Sequence, residues 1–512
     1  MIFIGPKLSE PNAHFVTNII DCIGSDHDLI IDLKMTRTKE LLFKQIQSHI
    51  KKNSEKYVIY NAYEDEDFFI YFKKQFPNLI LFTFFSDDEW RHCNYDRYIS
   101  LYSDFFSITS YVNHLRYYSS CGLKNGMICQ WACNPRRFYP LKGNKKYDVT
   151  FIGAPHSKRA EYILYLVQNG VNVEIFGREW EKLKSFKNIW KGSLTDSEAV
   201  KVINQSKINL NFLWLSRNLN KTTIKGRTME LAVCRAFQLS NYTDELNKYG
   251  FYEGENICTF SSKQEMLDKV NYYLNNEKER EIIAENSYNL VLKNHTWTKR
   301  FSDVFVNIES GKRKNEIPKF KLLVLLQKQV KHSITAPDSR MEISIKKIED
   351  FHNFEFENYD GIVFLQHNTN INNETLYMMA FARYCDKSDI VISNFYINSF
   401  NSHIWIRFHE QNIMEHKKLI KYLPQESICF SPGAARQFVD KKISWGNTKI
   451  SLIEYPSFNI LKMRIFKKRI LKLLFGSYLK KEIFKEALSK GQLIKALNIG
   501  LDHFIQNINF IR

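Results

Sequence analysis

The chain has 512 residues, 44% hydrophobic and 25% charged, with few Gly (19) or Pro (11). That mix excludes collagen-like, linker-rich and disordered classes, and the length implies two to four domains. The 73 Lys and Arg against 55 Asp and Glu give a formal charge of +18, which favours anionic partners such as nucleic acid, an acidic membrane surface or phosphorylated small molecules.

Residues 1–145 alternate between apolar runs and helical stretches. The runs are Met1–Ile4, Leu29–Leu33, Tyr57–Tyr60, Leu79–Phe85 and Phe105–Thr109, with helical patterns at Lys39–Lys51 and Phe68–Phe76 between them. Strand–helix alternation implies a parallel sheet covered on both faces, a Rossmann-like unit. Pro140–Tyr147 is polar and turn-rich, a linker. The rhythm then restarts. Strands are expected at Asp148–Ile152 (ending in Gly153), Val171–Phe176 (ending in Gly177), Ile208–Trp214 and Phe237–Ser240. Helices are expected at Arg159–Gln168, Ser197–Gln205, from Thr228, and at Lys263–Leu274 and Glu277–Lys293. A second doubly wound domain therefore spans 146–310. A charged, Pro-containing break leads to a less regular region, 317–460, and a basic helical segment, 461–512. Neither half opens with G-x-G-x-x-G, so the dinucleotide fingerprint is missing, and there is no P-loop.

The stretch with most chemistry is Lys221–Tyr252. A Lys- and Arg-rich loop runs into a helix expected to begin near Thr228, and a helix start with its free N–H groups is an anion site. On that exposed loop Arg227 can fork onto diphosphate oxygens, Lys225 adds a point charge, and Glu230 one turn in can accept from ribose hydroxyls. Spacing alone equally fits a solvated basic loop capping an ordinary helix.

Several blocks resemble one family in order: FTFFSDDEW (82–90), WACNPRRFYP (131–140), DVTFIGAPHSKRAEYILYL (148–166), VEIFGREW (173–180), INLNFLWLSRN (208–218), GRTMELAVCRAFQLSNY (226–242), FYEGENICTF (251–260) and NHTWTKRF (294–301). They resemble the CgeB-like (spore maturation protein-like) glycosyltransferases, whose C-terminal domain is called glycosyltransferase family 1-like. The resemblance implies an α/β fold of the GT-B type, a pair of Rossmann-like doubly wound domains. The second domain binds the donor and the first the acceptor. It further implies sugar transfer, hexosyltransferase-like, from a nucleotide-sugar donor to a cell-surface, polysaccharide or protein acceptor, with no obligatory metal or other cofactor. The Gly153 turn then lets the diphosphate approach the backbone. The alternative is an inactive protein of the same fold that binds a glycan or nucleotide. Two departures keep it open. Related enzymes carry Glu where this chain has Thr222, and Gly where it has Arg235, a side chain that narrows the donor pocket or contacts phosphate.

Candidate bases lie in the first domain. Asp88 follows a buried-looking strand, with Asp87 beside it on the acceptor side; His14 is the alternative base. Asp65-Glu66-Asp67 fits the D-x-D metal signature but reads better as a first-turn acidic run. His295, Trp297 and Arg300 read as packing and helix-end charges. Region 359–397 resembles a fragment of a GT-A domain whose D-x-D slot holds His367-Asn368-Thr369, without the carboxylates a divalent ion wants. It is expected to be a degenerate, noncatalytic module.

Residues 461–512 hold nine Lys and three Arg against three acids, a net +9. With Leu, Ile and Phe interleaved at helical spacing, they suggest peripheral attachment to an anionic inner membrane face. This clustering, and the lack of any nucleic-acid module, argue against nucleic acid as a partner. No apolar run reaches the ~18–20 residues of a membrane span. The nine scattered cysteines, with no second Cys/His pair beside Cys129 and Cys133, read as reduced thiols, so the expected location is cytoplasmic.

Overall fold

The computed structural model describes residues 1–6, 15–33, 35–36, 38–61, 68–86, 91–92, 96–109, 112–214, 222–311, 315–326, 339–347, 355–365, 369–371, 373–388, 390–399, 402–406, 428–430, 434–435 and 450–460. The chain divides into two units, Met1–Glu316 and Ile317–Arg512.

The first unit holds two parallel sheets. Strands β1 (Ile2–Gly5), β2 (Leu29–Asp32), β3 (Tyr57–Asn61), β4 (Ile80–Phe84), β5 (Phe105–Ile108) and β6 (Gly126–Ile128) lie in the order β2-β1-β3-β4-β5-β6. Strands β7 (Tyr147–Ile152), β8 (Val173–Phe176), β9 (Ser206–Asn211), β10 (Gln238–Asn241) and β11 (Cys258–Phe260) lie in the order β11-β10-β9-β7-β8. Both sheets wind the same way. The chain steps from its first strand to one side, then crosses back to continue on the other, so each has a switch point beside its first strand. Helices cover both faces, which is why the strands are apolar runs: Ile2, Phe3, Ile4, Val149 and Ile175 are fully buried.

Helix boundaries follow local chemistry. Thr195 caps Asp196–Gln205 with a full capping box to Glu198, while Thr38, Ser262 and Thr296 accept the N–H three residues on. β9 ends at Asn211 instead of running to Trp214, because the Leu213 N–H is taken by the Asn241 side chain (2.7 Å) and leaves the ladder. The linker 140–146 is tied down. Leu141 N–H donates to Asn204 Oδ1 (2.8 Å) and Lys146 N–H to the Gln205 carbonyl (2.7 Å).

The largest element of the first unit that the sequence does not announce is its C-terminal return helix. After helix Glu277–Asn294 the chain turns at His295 and enters Trp297–Glu309, which returns to the first sheet. Its stripe Trp297, Phe301, Val304 and Ile308 is buried among Phe3, Ile59, Phe82, Phe84 and Phe105, each side chain contributing about 2 kcal/mol by area. The turn is locked from three sides. Cys133 N–H donates to the His295 carbonyl (2.8 Å), and Trp297 N–H to the Cys133 carbonyl (3.0 Å). His295 Nε2 donates to the Tyr249 carbonyl (2.8 Å), and Nδ1 accepts from Arg300 (3.0 Å). His295, Trp297 and Arg300 are thus the packing and helix-end groups expected.

The second unit is a mixed sheet. Its strands are β12 (Phe320–Leu326), β13 (Met341–Lys347), β14 (Gly361–Leu365), β15 (Thr369–Ile371), β16 (Ile390–Ser399), β17 (Ser402–Ile406), β18 (Ile428–Phe430) and β19 (Ile450–Ile460). They run β13-β12-β14-β18-β16-β19-β15, with β17 on β16. β12, β13 and β14 are parallel, and β18 is antiparallel to both neighbours. His367 and Asn368 of the D-x-D slot, and all of 461–512, lie outside the described residues.

Burial, reinforced by Arg300 and opposed by the bond to Tyr249, pushes the His295 imidazole down to about 4 from 6.5. The unfolded chain takes up that proton between pH 6.5 and 4 and the folded one does not. Stability is therefore complete above pH 6.5 and falls as pH drops toward 4, by about 3 kcal/mol from this group. Urea midpoints measured from pH 4 to 7 should fall less steeply toward acid in His295→Gln than in the parent. Parallel profiles would contradict this.

Candidate functional site

In an open parallel sheet, ligands bind beyond the strand C-termini at the switch point. In the second sheet that point lies between β7 and β9. One side chain spans it. Arg159, the first residue of helix Arg159–Gln168, donates from Nη1 to the Ala154 carbonyl (3.1 Å) after β7 and from Nη2 to the Phe212 carbonyl (3.3 Å) after β9. Its guanidinium lies 5.7 Å from the Phe151 ring centroid. Its Nε is buried and has no acceptor among the described residues. Burial first, and then Arg227, push Arg159 down to about 10, far below an ordinary arginine. Burial is thus the main cost of holding Arg159 charged, and the charge of Arg227 adds to it.

Arg227 belongs to helix Gly226–Val233. The helix begins two residues before Thr228, so Arg227 sits in its first turn, with 28% of its side chain exposed, rather than on an exposed loop. Its Nη1 lies 3.0 Å from Glu230 Oε2. Glu230 keeps 23% of its side-chain surface, and burial holds its carboxyl above the usual range against the pull of Arg227. Lys225 takes the cap position in extended conformation (φ −116°, ψ 159°), and its side chain makes no cap bond. A lysine has no acceptor to offer, so the first-turn N–H groups gain no side-chain cap from it.

The helix start is bolted to the sheet by buried amides. Asn211 donates to Thr228 Oγ1 (2.9 Å) and to Gln238 Oε1 (3.1 Å), and Gln238 donates to the Thr228 carbonyl (3.3 Å). From the first sheet's side Trp131 comes up to Gly226, where a side-chain β-carbon would stand 3.5 Å from the indole. Trp131 also packs edge-on against Phe84 and Trp297. The switch-point edge of the second sheet thus faces residues of the first.

Gly153 is tightly packed at the exit of β7. Its carbonyl accepts from Trp180 Nε1 (2.7 Å), and a β-carbon on it would meet Phe151 at 2.8 Å. Gly177 (φ +131°) packs onto it so closely that a β-carbon there would lie 2.4 Å from the Gly153 oxygen. Packing of the β7 and β8 exits accounts for both glycines. The expectation for Arg235 is corrected. It stands beyond the C-terminal end of helix Gly226–Val233, opposite the Arg227 turn, and pairs with Glu285. It occupies the left-handed position (φ +54°) of a Schellman turn, with Ala236 N–H on the Leu231 carbonyl and Arg235 N–H on that of Ala232. The glycine it replaces serves backbone geometry. Thr222 forms an isolated bridge to Trp214 at the base of 215–221.

His14, Asp65, Asp67, Asp87 and Asp88 lie outside the described residues. Among the described residues no group of three or more His, Cys, Asp or Glu could hold a metal ion, and no helix is long and apolar enough to cross a membrane. The residue missed from sequence as a site member is Arg159. The signal was present as the arginine that opens the helix after the Gly153 turn, but only the fold shows it reaching β9.

Residues 159–305 match the family described as glycosyl transferase-like. The chain carries a glycosyltransferase-like domain. No curated protein matches the chain. Among solved structures, the Anabaena protein HepE in complex with UDP-glucose is 10% identical, with a TM-score of 0.45, over 60% of this chain and 99% of that one. Sucrose-phosphate synthase from Thermosynechococcus elongatus is 9% identical, with a TM-score of 0.44, over 60% and 98%. A glycosyltransferase from Rickettsia africae is 10% identical, with a TM-score of 0.42, over 60% and 97%. The fold of Met1–Glu316, two parallel Rossmann-like sheets joined by a returning helix, is the GT-B type expected from the sequence.

An L-residue in the left-handed region costs about 1–2 kcal/mol, and an exposed ion pair returns about 0–1 kcal/mol. Arg235→Gly should therefore raise stability by roughly 0.5–1 kcal/mol in urea unfolding and leave nucleotide affinity unchanged. A loss of affinity would return Arg235 to the ligand site.

Proposed function

We propose that the chain is a glycosyltransferase, hexosyltransferase-like, that moves a sugar from a nucleotide-sugar donor to a cell-surface, polysaccharide or protein acceptor without an obligatory metal. The observation that carries this reading is Arg159 laid across the second sheet's switch point, with its Nε lacking an acceptor among the described residues, and Arg227 in the first turn of the helix that follows β9. An anion there offsets the cost of the charge, and a diphosphate offers oxygens to both forks. As the glycosidic bond breaks, negative charge grows on the leaving nucleoside diphosphate. Donors already in place there lower the barrier without reorganising. Lys225 and the first-turn N–H groups add to the field, and Glu230 is assigned to accept from ribose hydroxyls. The match of residues 159–305 to a glycosyl transferase-like family supports the same assignment.

The acceptor is assigned to the first domain, with Asp88 as the base that takes the hydroxyl proton, Asp87 beside it and His14 as the alternative. These rest on sequence, as do the cytoplasmic location, the attachment of 461–512 to an anionic membrane face and a noncatalytic role for 317–460.

The experiment is a thermal-shift panel of nucleotide sugars headed by UDP-glucose, followed by titration of variants with the best nucleoside diphosphate. Arg227→Ala and Arg159→Lys should each bind it about 30-fold or more weakly, because charge without the fork, or the fork's loss, removes a charge-assisted contact. Single-turnover transfer by Arg227→Ala should fall by about 2–4 kcal/mol of transition-state stabilisation. Parental affinity in both variants would end this assignment.

A further inference from the structure

We infer that Glu245 is a positioning residue that, with Asn241, clamps the approach to helix Gly226–Val233 and so sets where Arg227 and the first-turn N–H groups stand; the inference rests on the donor reading above. Glu245 opens a short helical turn after β10 and is 4% exposed. One carboxylate oxygen, Oε2, accepts from Thr223 Oγ1 (2.7 Å) and from the Ile224 N–H (2.8 Å). Those two residues immediately precede Lys225, Gly226 and Arg227. Four residues before Glu245, Asn241 (3% exposed) accepts the Leu213 N–H through Oδ1 (2.7 Å). The two legs are closed on each other by Thr223 N–H on the Leu213 carbonyl (3.0 Å) and by the Trp214–Thr222 bridge. The exit of β10 therefore grips both the segment leaving β9 and the segment entering the helix.

A buried carboxylate is costly, and an apolar residue would fill the same space without that cost. Burial raises the Glu245 carboxyl above its ordinary range, with the two hydrogen bonds, Lys248 and Lys225 opposing. An anionic acceptor here gives the segment a single register. The Ile224 N–H and the Thr223 hydroxyl can be satisfied by one oxygen only when 223 and 224 hold this conformation. A residue or two of slack at this point would displace Arg227, one of the two guanidinium groups at the switch point.

The test uses the full chain, with UDP as the probe and UDP-glucose as the donor. Glu245→Gln and Thr223→Val should bind UDP about tenfold more weakly, the scale of one hydrogen bond to a charged group. KM for donor should rise by a similar factor and kcat at saturation should fall too, because a displaced Arg227 is lost both to the bound donor and to the charge that grows as the bond breaks. Native-state hydrogen exchange should speed at Ile224 while Leu239 of β10 keeps its rate. Glu245→Asp, which keeps the charge, should recover part of the affinity. If exchange accelerates at Ile224 and UDP affinity is parental, Glu245 only braces the fold and the inference is wrong. If Ile224 exchange is unchanged, the clamp itself does not exist. Arg227→Ala serves as the control. Should it and Arg159→Lys both bind UDP like the parent, the donor reading fails whatever Glu245 does.

Discussion

The site depends on one arginine laid across the gap between two strands. Arg159 gives one N–H to each side of the switch point, to the carbonyls of Ala154 and Phe212. Its placement follows from topology. β7 and β9 are neighbours only because the chain visits β8 on one side before crossing to the other, and that excursion leaves a crevice at the strand C-termini. The arginine bridges the crevice with two of its donors and leaves its Nε without an acceptor among the described residues. Arg227 stands in the first turn of helix Gly226–Val233 with its charge partly offset by Glu230, and burial penalises the charge of Arg159. Such an arrangement is a cost in the free protein and a gain once an anion arrives.

Everything around that crevice serves to hold it still. The amides of Asn211 and Gln238 bolt the start of the Arg227 helix to the sheet. Trp180 and the contact between Gly153 and Gly177 lock the exits of β7 and β8. Further out, the helix Trp297–Glu309 carries an aromatic stripe back into the first sheet's core. The first sheet is therefore tied to the second twice, through the linker 140–146 and through this return, and Trp131 sits between them against Gly226. A buried, neutral His295 at the turn makes that return sensitive to acid.

Much of this was legible in the sequence, and the reasons are physical. Strands buried on both faces announce themselves as apolar runs, so β1, β3, β4, β5, β7, β8 and β10 can be read directly. The three-residue strands β6 and β11 are too short to show a period. The return helix was hidden because His295, Trp297 and Arg300 read only as packing and helix-end charges until Thr296 is seen as a cap. Lys225, Arg227 and Glu230 could be picked out because basic residues ahead of an amphipathic run mark an anion-binding helix start. Arg159 could not be given a partner, since sequence order does not reveal that β7 lies beside β9. Arg235 misled for a related reason. A departure from glycine suggests a filled pocket, whereas the position needs only a left-handed backbone, and lies at the far end of the helix.

The central claim is that the switch point between β7 and β9 recognises a diphosphate through Arg159 and Arg227. Calorimetric titration of the unmodified protein with UDP and with uridine, at one fixed ionic strength, tests it most directly. The account predicts that UDP binds at least about 100-fold more tightly, since the phosphates supply the charge-assisted contacts, and that the difference shrinks as salt is raised. Equal affinity for the two, or a difference indifferent to salt, would contradict it.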